Sequence, residues 1–225
     1  LNRTALPSHG LGSVSVTTAG GTSAPLALNT VRVSVSGTSL GDVAIDANGA
    51  IWVSDTANPT NLLRIDAATG QVAQTITLSS AYGTAYMANY SGLQVLGEAM
   101  TLGSTSVAAG SLLVFNGYPN ADRVVAVNPA TGAIIASLTL DGNYDTVGGV
   151  YNPANGHLYI TENNGAGNRI IELSATTGGQ VGVITAPFNI QSWSGLAIDP
   201  ATGHLWLGAV NGGAQLVEYR IDGTG

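Results

Sequence analysis

The chain has 225 residues, room for one large all-β domain or two small ones, and 44% of them are hydrophobic against only 8% charged. A formal net charge of −7, with every basic residue an Arg, excludes a basic nucleic-acid-binding patch. With no Cys there is neither a disulfide framework nor a thiolate metal site, and no apolar run reaches the length of a transmembrane helix.

Residues 1–29 are rich in Ser, Thr, Gly and Ala, with one alternating run at 13–17, and form an N-terminal extension. Residues 30–36 alternate as a strand with one apolar face. Residues 41–55 then predict a strand, a tight Asn48-Gly49 turn and a second strand. Two more strands, at 62–66 and 72–78, flank a turn at 68–70, which completes a four-stranded meander. A longer second copy has strands at 93–102, 111–115, 123–127 and 134–140. The third reads 149–161, 169–173 and 181–185, and the fourth begins at Gly195 but stops at Gly225 after three segments.

Two series of turn glycines fix the repeat. The first hairpins turn at Gly49, Gly110, Gly156 and Gly203, spaced 61, 46 and 47 residues. The second hairpins turn at Gly70, Gly132, Gly178 and Gly225, spaced 62, 46 and 47. Four-stranded units at such a period stack radially, so the expected fold is all-β, a β-propeller of about four four-stranded blades spanning 30–225. The last blade lacks its outer strand and 31–36 is unused. The N-terminal strand is therefore expected to close the ring and remove an exposed edge.

The segments Gly-Asp-Val-Ala-Ile-Asp at 41–46 with Gly-Ala-Ile-Trp-Val-Ser-Asp at 49–55, and Gly-Leu-Ala-Ile-Asp at 195–199 with Gly-His-Leu-Trp-Leu at 203–207, resemble the blades of NHL-repeat, YVTN-repeat and gluconolactonase-like propellers. The motif is a signature of fold rather than of activity. Those families usually have six or seven blades against the four counted here, which leaves open blades supplied by another copy or by a longer parent.

In a propeller the first strand of each blade lines the axis. Asp42, Glu98 and Asp145, with Ser194 in the last blade, are read as its entry positions, and three carboxylates converging there would suit a hard cation such as Ca²⁺. The gluconolactonase resemblance also implies a divalent metal near the channel mouth. Against this, the same carboxylates serve equally as solvated turn residues. Polar loops at 54–55, 116–117, 161–164 and 211–212, with Tyr118 and Trp193, offer hydrogen bonds and stacking for a glycan, though such residues more often make turns.

Repetition argues for structure elsewhere. Arg64, Arg123, Arg169 and Arg220 recur at one third-strand position, beside Asp66, Asp122, Glu172 and Glu218, and read as a ladder on a blade face. His157 and His204 follow the first-hairpin Gly and read as turn residues; Trp52, Tyr159 and Trp206 share one second-strand position and read as packing between blades. No nucleophile triad, phosphate loop or zinc motif stands out. The leading expectation is a non-enzymatic propeller, exported to the cell surface or beyond on the strength of its low charge, acidity and Ser/Thr content. It would act as a binding or self-assembly module, such as a surface-layer, filament or adhesin subunit, with self-association through the extension. A metal-dependent gluconolactonase-like hydrolase and a carbohydrate-binding domain are the alternatives.

Overall fold

The structure, a computed structural model, describes residues 2–3, 12–15, 17–18, 21–22, 26–28, 40–67, 69–78, 91–117, 122–165, 167–190, 195–209 and 215–221. The turn glycines organise the chain as their spacing implies. Gly49, Gly70, Gly110, Gly132, Gly156, Gly178 and Gly203 all adopt φ of 73–82°, a region that only Gly enters without steric cost. Short polar side chains fix the turns around them. In the first hairpins, carboxylate or amide oxygens of Asp46, Asn152 and Asp199 each accept the N–H two residues on, at 2.8–3.0 Å. In the second hairpins Asn128 and Ser174 likewise accept the N–H two residues on, and Asp66 the N–H three residues on.

The extension contributes β1 (Asn2–Arg3), β2 (Gly12–Ser15), β3 (Thr17–Thr18), β4 (Gly21–Thr22) and β5 (Leu26–Leu28). Its alternating run becomes β2, the centre of a three-stranded antiparallel sheet ordered β1-β2-β5. Both edges of β2 are thus occupied within the chain.

The first blade is β6 (Leu40–Ile45), β7 (Ile51–Asp55), β8 (Asn61–Ile65) and β9 (Val72–Thr77), an antiparallel meander. The second starts with β10 (Ser91–Val95), inserts a hairpin of β11 (Met100–Leu102) and β12 (Thr105–Val107), and continues through β13 (Leu112–Asn116), β14 (Arg123–Val127) and β15 (Ile134–Thr139). This insertion corrects the single long strand expected at 93–102. The chain bends at Gly97 and Glu98, and Gly103 turns the hairpin with φ 63°, which accounts for much of the longer first spacing. The third blade is β16 (Gly149–Asn152), β17 (His157–Thr161), β18 (Arg169–Ser174) and β19 (Gln180–Thr185); the fourth is β20 (Gly195–Ile198), β21 (Leu205–Ala209) and β22 (Gln215–Tyr219). The strand expected at 31–36, which would complete this blade, and the turn ending at Gly225 lie outside the described residues.

The repeat extends to irregularities: the third and fourth strands of blades one, two and three slip register at Arg64/Ile65, Ala126/Val127 and Glu172/Leu173, a bulge at one equivalent place. Together the four sheets form a four-bladed β-propeller, with no helix among the described residues.

Alternation gives each blade two faces, and three apolar junctions join them. Trp52, Leu62 and Ile76 of blade one pack with Leu112, Val114 and Val125 of blade two. Leu113, Phe115 and Val124 on the opposite face of blade two pack with Leu158, Ile160 and Ile171 of blade three, and the inserted hairpin adds Met100, Leu102 and Val107 to this cluster. Tyr159 and Ile170 then meet Leu205, Leu207 and Tyr219 of blade four. Trp52 and Tyr159 therefore do pack between blades as their shared position predicts.

Candidate functional site

The innermost strands β6, β10, β16 and β20 surround a cavity of about 770 Å³. Its walls are largely aliphatic, with Val43, Ile45, Val95, Ala197 and Ile198 among the lining residues. Toward the exit ends of the strands it is bordered by the first-hairpin turns of blades three and four, which bring Asn152, Asp199 and Thr202 to its lining, and by the bend after β10, which brings Glu98. Between blades two and three the wall is fastened by Gln94. Its Nε2 donates to the Tyr151 carbonyl at 3.2 Å and its Oε1 accepts the Tyr151 N–H at 2.6 Å, so one side chain takes both hydrogen bonds that a neighbouring strand would make. The Tyr151 hydroxyl is pushed above its ordinary pKa by burial and by the charge of nearby Glu98.

The three carboxylates read as a metal set are placed apart. Asp42 lies near the entry end of β6, where its Oδ2 accepts the N–H of Leu93 in blade two at 2.7 Å and its Oδ1 accepts the N–H of Val43 at 2.9 Å. Burial pushes its pKa up to about 6 against the lowering effect of those bonds. Asp145 precedes β16, with φ 49°, and both burial and the charge of Asp122 raise its pKa. Glu98 lies beyond the exit end of β10, in the bend before the inserted hairpin, and of the three it alone lines the cavity. The insertion thus puts it at the opposite end from the entry position expected for it. Among the described residues no three His, Cys, Asp or Glu side chains gather where they could hold a metal ion. Ser194 lies outside the described residues.

The buried acids are employed at the junctions. Asp122, almost fully buried, accepts the N–H groups of Tyr144, Asp145 and Thr146, three donors in the segment leading into blade three. Gly117 lies against the same segment so closely that a Cβ would come within 2.3 Å of the Thr146 nitrogen. Sequence reading places Asp122 beside Arg123 and misses this long-range cap; the Asp-Arg order at the start of the strand gives no sign of it.

The expected arginine ladder takes a different form. Arg169 pairs with Glu162, its Nε donating to Oε2 at 2.6 Å with a second bond from Nη2 to Oε1, while Glu172 instead receives Tyr159 Oη at 2.6 Å and contacts His157 Nδ1 at 2.7 Å. Glu218 likewise faces His204 Nδ1 at 2.7 Å. The two histidines do keep their turn role: the N–H of His157 donates to Asn155 Oδ1 and that of His204 to Thr202 Oγ1. Their side chains additionally reach diagonally across the strands, since Glu172 lies directly opposite Tyr159 and Glu218 opposite Trp206.

The loops read as glycan contacts divide similarly. Ser54 accepts the Asp42 N–H, Asp55 accepts from Ala57 and Asn58, and Glu162 is held by Arg169. Tyr118, Trp193 and the 211–212 loop lie outside the described residues.

These features define a β-propeller with an apolar axial cavity and carboxylates built into its joints. Comparison with solved structures agrees on the fold. The chain is similar to a protein of unknown function from Bacteroides caccae, with TM-score 0.51 and 14% identity over 84% of this chain and 60% of that one. BamB from Moraxella catarrhalis is similar with TM-score 0.44 and 15% identity, covering 100% and 59%, and the Dos1 propeller with TM-score 0.46 and 11% identity, covering 92% and 51%. The chain thus spans 60% or less of the length of these structures. No family model matches the sequence, and no curated protein matches it. The comparisons do not confirm an NHL or gluconolactonase-like grouping.

Proposed function

We propose that the chain is a non-enzymatic, extracellular β-propeller that works as a binding or self-assembly module at a cell surface. The observation that carries this reading is the employment of its buried acids. Asp42 and Asp122 accept N–H groups of the following blade, and Glu162 holds Arg169. A hydrolase needs a carboxylate free to move a proton beside its substrate, and these are engaged in holding blades and strands. Low charge, acidity and Ser/Thr content support export.

Self-association through the extension would use the outer edges of β1 and β5, since β2 is paired on both sides. Strand addition at such an edge draws its affinity from main-chain hydrogen bonds. Light scattering over a concentration series tests this. The full chain is expected to rise above its 22.6 kDa monomer mass, and a chain lacking residues 1–29 to stay monomeric with an unchanged circular-dichroism spectrum. A full chain that remains at 22.6 kDa throughout removes the assembly function.

A further inference from the structure

The axial cavity presents an apolar surface that stays uncovered on blade one. Val43 is 56% exposed and Ile45 is 65% exposed, although both belong to an inner strand, and both line the cavity with Ala197 of blade four, also exposed. Their counterparts at the internal junctions are better covered: Leu93 and Leu196 in the place of Val43, and Tyr151 in that of Ile45, are each at 8% exposure or less, while Val95 and Ile198, also in the place of Ile45, are half-buried. Leaving such side chains in water forgoes a hydrophobic gain that any apolar group filling the space would restore. The volume, about 770 Å³, is that of a small-molecule site.

Charge selects the head group. Glu98 and Asp199 line the cavity, and among the described residues no Lys, Arg or His does. Asp199 stays ionised because the Ala201 N–H and the Thr202 hydroxyl hold its pKa below the usual carboxylate range. An anionic head would meet two like charges, with His204 beside Asp199 but outside the cavity lining, whereas a cationic head is attracted by both.

We infer that the cavity binds a linear amphipathic cation, its aliphatic body along Val43, Ile45 and Ala197 and its positive head at Glu98 and Asp199. This rests on the binding half of the proposed function and gives it a ligand class.

Isothermal titration of the full chain with decyltrimethylammonium, decyl maltoside and decyl sulfate, each below its micelle threshold, provides the test. Decyltrimethylammonium is expected to bind one site at least about tenfold more tightly than decyl sulfate, with the maltoside between, since about 1.4 kcal/mol separates each decade. Ile45→Arg, at an exposed position, is expected to abolish binding while the circular-dichroism spectrum stays native. Glu98→Gln is expected to reduce affinity for the cation several-fold and leave that for the maltoside unchanged. Equal affinity for all three head groups, or cation binding that survives Ile45→Arg in a native fold, overturns the proposal. If no probe binds but the mass rises with concentration, the ligand proposal falls and the assembly reading stands. Saturable cation binding by a strict monomer upholds the ligand proposal and removes the assembly reading.

Discussion

The junction between blades two and three and the open face of blade four are built from the same repeat, yet one is sealed and the other is not. Leu62, Val124, Ile170 and Leu216 occupy one equivalent third-strand position. The first three are 0% exposed and Leu216 is 70% exposed. Nothing in the strand itself separates them; the first three face a following blade, whereas among the described residues none covers Leu216. At the sealed junction, Phe115 lies so close over the backbone of Gly149 that a Cβ there would stand 2.3 Å from its ring, and a Cβ on Gly92 would come within 2.4 Å of the Gly149 nitrogen. Burial in this propeller is therefore a property of the pair of faces, and the two inner glycines set how closely the pair can approach.

The sharpest way to break the contrast is to truncate a side chain on each side of it. Phe115→Ala is expected to cost about 3–5 kcal/mol, because the ring is wholly buried and its cavity cannot collapse onto Gly149. Leu216→Ala is expected to stay within about 0.5 kcal/mol, as an exposed site. Chemical denaturation of the two variants measures both, and similar losses would refute the distinction.

Closeness of approach gives the next effect. Gly92→Ala is expected to destabilise by about 1–3 kcal/mol, since the atoms it meets are backbone and cannot swing aside. Gly195→Ala, with nothing within 4 Å of the added carbon, is expected to show none of this steric loss. A Gly92→Ala midpoint equal to that of Gly195→Ala would show that the inner strands can part freely.

The smallest effect is pH-dependent and belongs to the junction of blades one and two. Asp42 has its folded pKa raised from 3.8 to about 6, mainly by burial, so between those values the folded chain binds more protons than the unfolded one. Its contribution to stability therefore falls as pH rises from about 4 to 6 and stays lower above that. Asp42→Asn keeps an oxygen for the Leu93 N–H and removes the titration. The variant is expected to gain stability relative to the parent across this window, with the gain levelling off above it. Parallel pH–melting profiles without such a divergence would rule out the burial of Asp42 as the cause.

Legibility in the sequence follows the range of each interaction. The turns are readable because their signal is local: a Gly that must take positive φ and an Asx or Ser oxygen a few residues before it recur at fixed spacing. Trp52 and Tyr159 are readable as junction residues because one position repeats. The candidate site is much less readable. Glu98 aligns with Asp42 and Asp145 along the chain, and only the hairpin β11–β12 reveals it at the other end of its strand. The partners of Arg169 and of Asp122 are equally hidden, since each depends on which segment is folded alongside.

The sequence by itself determined the repeat, the turns, the alternation of faces and hence the propeller, all consequences of backbone sterics and side-chain period within some twenty residues. Only the tertiary structure decided which faces are covered, where the carboxylates are employed and what lines the axis. Those outcomes depend on contacts between blades, and a side chain such as Leu216 carries no mark of whether a neighbour will arrive.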